Sequence, residues 1–345
     1  MVIMKKLISA LSALAVAMGV GTSAMAAFSD MPDGDMGAAL ERAVEVKLMN
    51  GIDDTHIAPN DNITRAQMAT ILVRAFGADD IFTMFNETGA EYTFADVASG
   101  AWYADMVSKA ARMGAFKGDD ANNFNPENNI TFQETYIVLS RMFGFEPYQV
   151  NYKDKPSIML GDCDASVLNA YPDAAEADSW AADYLKYIVG NGGWTGINGQ
   201  LKPKAYITRG EFAMIMDKLV TNYVDEPGTY DALKDGLTLV RSGGVTIKGL
   251  NTSHNLIFTY GVDETGASTE DVAINGVMMI YGGVDKTPKE NAKGKLMPDE
   301  SYITVSGTFH DVRNMSPYSF LTAGSAKMEF YKGVDHSLVS MTLSQ

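Results

Sequence analysis

The sequence predicts a multidomain protein, a mainly helical triple repeat followed by an all-β region, and three observations carry that prediction. The loop GIDDTHIAPNDNITR returns as GDDANNFNPENNITF and, one residue shorter, as GINGQLKPKAYITR, so one unit is written three times. On both sides of each loop, apolar residues recur at three- and four-residue spacing, the period of an amphipathic helix. From about Asp225 onward the texture changes to β-branched and aromatic runs such as VTIKGL, LIFTYGV and SYITVSG, separated by Gly, Asn and Asp turns.

The repeat is anchored at Ile63, Ile130 and Ile207, each four residues after a proline (Pro59, Pro126, Pro203). Upstream of each loop stands an aromatic, one spacer and an aspartate: Phe28 with Asp30, Phe94 with Asp96, Tyr171 with Asp173. The aspartate is expected to accept backbone N–H bonds near a helix start, with the aromatic stapling the incoming chain. Trp102 and Trp180 follow, sixteen residues before the loop glycines Gly118 and Gly196; Asp35 holds that place before Gly51. Met106, Ala110 and Met113, then Tyr184, Tyr187 and Ile188, read as core faces of the helices before the second and third loops. After the loops the core faces are Met68, Ile71, Leu72 and Ala75; Tyr136, Leu139 and Phe143; and Phe212, Ile215, Met216 and Leu219. Each unit is thus helix, loop, helix.

Thr64, Thr131 and Thr208 precede these second helices, with Gln67, Glu134 and Glu211 three residues later, a capping box written three times. Such a box is structural, worth about 1 kcal/mol per helix. In the β-region the spacing of GLTLV, GVTIKGL and NLIFTYG allows short solenoid rungs, while the irregular spacing after Gly283 fits a sandwich as well.

Composition bounds the rest. A chain of 345 residues with 46% hydrophobic content has matter for a real core and room for about two or three domains. Lys5 and Lys6, the apolar stretch Leu7 to Val20 and the small residues of Ala24-Met25-Ala26 have the three parts of a secretion signal. The mature chain is expected to begin at Ala27 without a membrane span, since the apolar run is shorter than the roughly 20 residues a span needs. Cys163 stands alone, so no intramolecular disulfide supports the exported fold. A net charge of −16 argues against nucleic acid, and any anionic ligand must be caught by a few placed cations. The expected divisions are a leader over 1–26, repeats over 27–86, 87–150 and 151–224, and a β-region over 225–345.

The aromatic-x-Asp, Trp-Ala and Ile-Thr-Arg elements together make the chain from Phe28 to about Val224 resemble three S-layer homology (SLH) domains. The resemblance implies a three-lobed pseudo-trimer around a central three-helix bundle. It also implies binding, in grooves between lobes, of secondary cell-wall polysaccharide attached to peptidoglycan and often carrying a pyruvylated sugar. The binding arginine of Ile-Thr-Arg falls on Arg65 and Arg209, whose planar guanidinium forks match a carboxylate. In the second repeat that place is Phe132, which offers no donor, so that groove is expected to be degenerate. Asp30, Asp96 and Asp173 are candidates for groove or cap, and Trp102 and Trp180 for sugar stacking or for packing. Gly51, Gly118 and Gly196 are candidates for positive φ or close approach to ligand. Where the family loop reads Tyr-Pro-Asp-Gly, this chain has Ile52-Asp53-Asp54, Asp119-Asp120-Ala121 and Ile197-Asn198-Gly199.

No metal, cofactor or catalytic residue is expected. Asp119, Asp120, Asn122 and Asn123 offer oxygens but lack EF-hand spacing. The four histidines are scattered, and the cluster Asp263, Glu264, Glu270 and Asp271 reads as a wet turn. The expectation is a noncatalytic, secreted cell-wall protein displaying a β-domain. The alternatives are a wall-anchored polysaccharide-degrading enzyme and a self-assembling surface-layer component.

Overall fold

The computed structural model describes residues 28–79, 93–150, 158–282, 289–290, 296–297, 301–314 and 319–323; the expected leader lies outside them. Each repeat contributes two helices: α1 (Asp35–Glu45) and α2 (Arg65–Ala75), α3 (Ala104–Arg112) and α4 (Phe132–Phe143), α5 (Ala182–Gly190) and α6 (Arg209–Leu219). At 9 to 12 residues they are too short to persist alone and depend on what they pack against. They pair across repeats: α2 lies on α3, α4 on α5, and α6 returns to α1.

The second helices are held at their N-terminal ends by a closed ring. Ile63 N–H donates to the Ile207 carbonyl, Ile207 N–H to Ile130, and Ile130 N–H to Ile63, at 3.0, 3.1 and 2.9 Å, and all three isoleucine side chains are fully buried. A helix start leaves its first N–H groups without intrahelical partners, and here each has one. Thr64, Thr131 and Thr208 form complete capping boxes with Gln67, Glu134 and Glu211. The next two donors go to the following repeat: Arg65 and Ala66 to the Asn128 and Pro126 carbonyls, Phe132 and Gln133 to Ala205 and Pro203, Arg209 and Gly210 to Asp61 and Pro59. The first repeat caps on the second, the second on the third, the third on the first.

The loops that supply those carbonyls are clamped from behind. Asp30 accepts from Ile57 and Ala58 N–H, Asp96 from Phe124 and Asn125, and Asp173 from Leu201 and Lys202, at 2.7 to 3.1 Å. The helices begin at 35 and 104, several residues beyond Asp30 and Asp96, so these carboxylates close loops where helix capping had been expected. The second clamped residue, Ala58, Asn125 or Lys202, has φ of 50° to 58° and directly precedes the proline. A left-handed residue of this kind is held only where its surroundings over-determine it, which the bidentate carboxylate does.

The β-region follows α6 without a linker. Its strands begin at β3 (Asn222–Val224), after an antiparallel pair of β1 (Tyr148–Val150) and β2 (Ile158–Leu160) that straddles the boundary between the second and third repeat spans. They continue as β4 (Gly228–Tyr230), β5 (Thr238–Val240), β6 (Val245–Lys248), β7 (Asn251–Thr252), β8 (Leu256–Phe258), β9 (Ala267–Glu270) and β10 (Val272–Ile280). After a two-residue pair, β11 (Lys289–Glu290) and β12 (Leu296–Met297), come β13 (Ser301–Val305), β14 (Gly307–Asn314) and β15 (Ser319–Ala323). One parallel sheet has the order β14-β10-β8-β5-β3 and the other β15-β13-β9-β6-β4, so the chain steps from sheet to sheet as it climbs. The first sheet is covered on both faces, and β5 and β8 are buried at every residue; β6 and β9 alternate, with one face in solvent.

Helices and first sheet share one core, in which Leu237, Leu239, Ile257, Met279 and Tyr281 join Phe76 and Phe143. The sheet also caps the helices' far ends. Gly261 N–H donates to the Phe76 carbonyl, Asn255 Nδ2 to Phe143, Tyr281 O–H to Met142, and Arg241 to Val46; Arg313 donates to Gly144 and Glu146. Cations at the negative ends of helices are favourable. Two outcomes follow. Asn255→Ala, which strands the Phe143 carbonyl and the Val277 N–H it holds at 2.8 Å, should lower unfolding free energy by about 1–3 kcal/mol in urea titration. Tryptophan fluorescence, reporting the repeats alone, should give the same midpoint as far-UV circular dichroism, which also reads the strands; separate midpoints would mean the regions unfold independently.

Candidate functional site

The three junctions between repeats carry the candidate residues, and they differ chemically. At the 1–2 junction, Arg65 leaves the start of α2 and crosses to the second loop. Its Nε donates to the Phe124 carbonyl at 2.8 Å, its guanidinium lies over the Phe116 and Phe124 rings, and Nη1 sits 3.4 Å from Glu134 Oε1. At the 3–1 junction, Arg209 does the same to the first loop: Nε to the Ile57 carbonyl at 2.7 Å, Nη2 to Asn50 at 2.6 Å. Burial lowers the pKa of both guanidinium groups, which stay charged at neutral pH. Glu134 faces Arg65, whereas the matching box residue in the first repeat is neutral Gln67. Arg209 therefore has no ion pair among the described residues, although it is only 8% exposed.

The 2–3 junction replaces the arginine with two residues. Phe132 is buried, and Tyr136, one turn on, donates its hydroxyl to the Leu201 carbonyl at 2.6 Å while accepting from Trp194 Nε1 at 3.2 Å. Leu201 stands where Ile57 and Phe124 stand, so the tyrosine hydroxyl takes over the bond that the arginines make. The corresponding residues in the other repeats are Ala69 and Ala213, a size exchange visible in the sequence beside Phe132 and not read there. Burial drives the Tyr136 pKa well up, so its hydroxyl remains a donor at any ordinary pH. Lys202 Nζ lies near the Phe132 ring and pairs with Glu211 at 2.8 Å.

The other candidates divide. Of the loop glycines, only Gly196 has a left-handed φ, 73°. A Cβ on Gly118 would come within 2.8 Å of the Phe94 ring, and one on Gly51 would collide with Phe28, so these two leave room for the leading aromatics of their own repeats. Trp102 and Trp180 are 65% and 54% exposed, which packing alone does not explain. Asp119 accepts from Ala121 and Asn123 N–H, and Asp53 from Thr55 and His56, turning each loop on its own backbone. The bond from Thr55 N–H, then that from the His56 side chain, lowers the Asp53 pKa to about 2. In the β-region, Asp263 caps a turn at Thr265 and Glu270 pairs with Lys248. No cluster of three metal-ligating side chains and no helix long and apolar enough to cross a membrane occurs among the described residues.

Residues 27–69, 93–135 and 170–213 match the family model of the S-layer homology domain, and those segments span the capping boxes, loop clamps and junction arginines described above. The chain carries three SLH domains. It is 28% identical to the surface-layer 125 kDa protein of Lysinibacillus sphaericus over 74% of its own length and 22% of that protein's. It is 32% identical to a surface layer protein of Brevibacillus choshinensis over 42% of this chain and 13% of the relative. The exoglucanase XynX of Acetivibrio thermocellus is 25% identical over 55% of this chain and 16% of that enzyme. The chain thus spans less than a quarter of the length of these curated relatives.

Two outcomes test the junction chemistry. Tyr136→Phe should cost about 1–3 kcal/mol of unfolding free energy in denaturant titration, since the Leu201 carbonyl then has no donor. Glu134→Gln reproduces the first repeat's box, so the SLH trio should keep its stability within about 0.5 kcal/mol while Arg65 loses its countercharge.

Proposed function

We propose that this chain is a noncatalytic cell-envelope protein held to peptidoglycan-linked secondary cell-wall polymer through its SLH domains. In this reading α2, α4 and α6 form the central bundle of a three-lobed body, and the parallel strands form a short β-solenoid presented outward. The observation that carries it is Arg209. Among the described residues this guanidinium bonds only to backbone carbonyls and forms no ion pair, with Asp61 and Asp30 acting on it only at longer range, so it is a cation prepared for an anionic group such as a pyruvyl ketal. Arg65 is the weaker anion site because Glu134 already faces it. The SLH domains and the surface-layer relatives support a secreted, cell-surface location.

A second reading, a wall-anchored polysaccharide-degrading enzyme, draws on the exoglucanase relative. That match covers 55% of this chain, a length the repeats alone can supply. The match to the surface-layer 125 kDa protein covers 74%, too much to be contained in residues 1–220, so it takes in part of the β-region. This favours the noncatalytic reading.

Co-sedimentation of the mature protein with purified wall sacculi, before and after stripping the polymer, tests the proposal. Retention should be lost on stripping and should fall about tenfold or more in Arg209→Gln, a change of at least 1.4 kcal/mol, with a smaller fall in Arg65→Gln. Glu134→Gln should strengthen retention. Equal retention on stripped and intact sacculi would overturn it.

A further inference from the structure

The first sheet ends at β3, whose outer edge meets no further strand among the described residues. Along an end strand the residues alternate, one bonding inward and the next presenting its N–H and C=O outward. The inward bonds fix the phase. Asn222 N–H donates to the Leu237 carbonyl and the Val224 carbonyl accepts from Arg241 N–H, so Asn222 and Val224 face β5 and Tyr223 between them faces out. The carbonyl of Thr221, two residues before Tyr223, is taken by Arg42 Nη2 of α1 at 2.8 Å, so the outward groups look towards that helix. The Tyr223 N–H and C=O have no hydrogen-bond partner among the described residues.

Beside this edge lies a cleft of about 570 Å³, the size of an ordinary ligand site. Glu41, Glu45 and Val46 of α1 line one side, and Tyr223 and Asp225 the other. The cations of the cleft are already matched: Arg42 pairs with Asp217 and lies over the Tyr223 ring, while Arg241 pairs with Asp225 and donates to the Val46 carbonyl. Glu41 and Glu45 are exposed and form no ion pair among the described residues. They stand one helical turn apart, about 6 Å at 1.5 Å per residue. Alternate side chains on one face of a strand are about 6.6 Å apart, so cations at every second position of an extended chain match the two carboxylates in spacing. The same carboxylates disfavour another copy of a chain whose net charge is −16.

We propose that the cleft between α1 and β3 receives an extended segment of a partner protein with Lys or Arg at alternate positions. The segment adds to the first sheet beyond β3, bonding the Tyr223 N–H and C=O and setting its cations against Glu41 and Glu45. Main-chain bonds then fix its register, and the carboxylates select its charge. The site lies away from the junction arginines and does not depend on the wall-anchoring reading.

Fluorescence anisotropy of a labelled heptapeptide, Thr-Lys-Val-Lys-Val-Lys-Thr, titrated with the mature protein tests this. Saturable binding is expected, weakened about tenfold or more when Glu41→Lys and Glu45→Lys are combined, and absent for the peptide with glutamate in place of each lysine. Both glutamates are exposed, and unaltered circular dichroism of the double variant establishes that it folds. N-methylation separates strand pairing from charge attraction. Because an added strand bonds through every second residue, methylating the amides of one alternate set should abolish binding, and methylating the other set should spare it. Absence of saturable binding, equal binding of the lysine and glutamate peptides, or the same effect from both methylation patterns overturns the proposal.

Discussion

Everything in the helical half depends on how the second helices satisfy their first N–H groups. The capping box deals with two of them inside each repeat; the next two have no partner within the repeat and are met by carbonyls of its neighbour. Because a buried unpaired N–H is costly, each repeat is incomplete until the next is in place, and the debt passes round until the third repeat borrows from the first. Three units close the cycle. The proline, the left-handed residue before it and the aspartate clamp are all devices that hold the accepting carbonyls in position for a neighbour's helix.

The same loops receive side-chain donors, and here the repeats diverge. Two arginines and one tyrosine reach equivalent carbonyls, those of Phe124, Ile57 and Leu201, from different positions on their helices. The structural requirement is one donor of suitable reach, which a guanidinium and a phenol both meet. Charge is free to vary once that donor is supplied. One junction pairs its arginine with a glutamate, one leaves it without an ion pair among the described residues, and one has dispensed with it, so a framework written three times presents three electrostatically distinct junctions.

At their far ends the helices meet the first β-sheet, whose Gly261, Asn255, Tyr281, Arg241 and Arg313 take the last carbonyls. Helices α2 and α4 are thus capped by a neighbouring repeat at one end and by the sheet at the other. Strand β3 follows α6 after only two residues, and Arg42 of α1 bonds the Thr221 carbonyl between them. The β-region is therefore joined to the core of the repeats directly and not through a tether.

The sequence by itself determined the repeat, the six helices, the capping boxes and the change to strands near residue 225, because periodicity and capping are written within a few neighbouring residues. It also marked Arg65, Arg209 and Phe132 as the places where the repeats differ. Only the tertiary structure decided what the aspartates and arginines hold, because those bonds span 27 to 159 residues and leave no local pattern. It likewise decided that Gly51 and Gly118 make room for phenylalanine, that Tyr136 stands in for an arginine, and that Trp102 and Trp180 remain in solvent. A residue's neighbours in the chain set its backbone; its partners across the junction, which set its chemistry, exist only once the ring has closed.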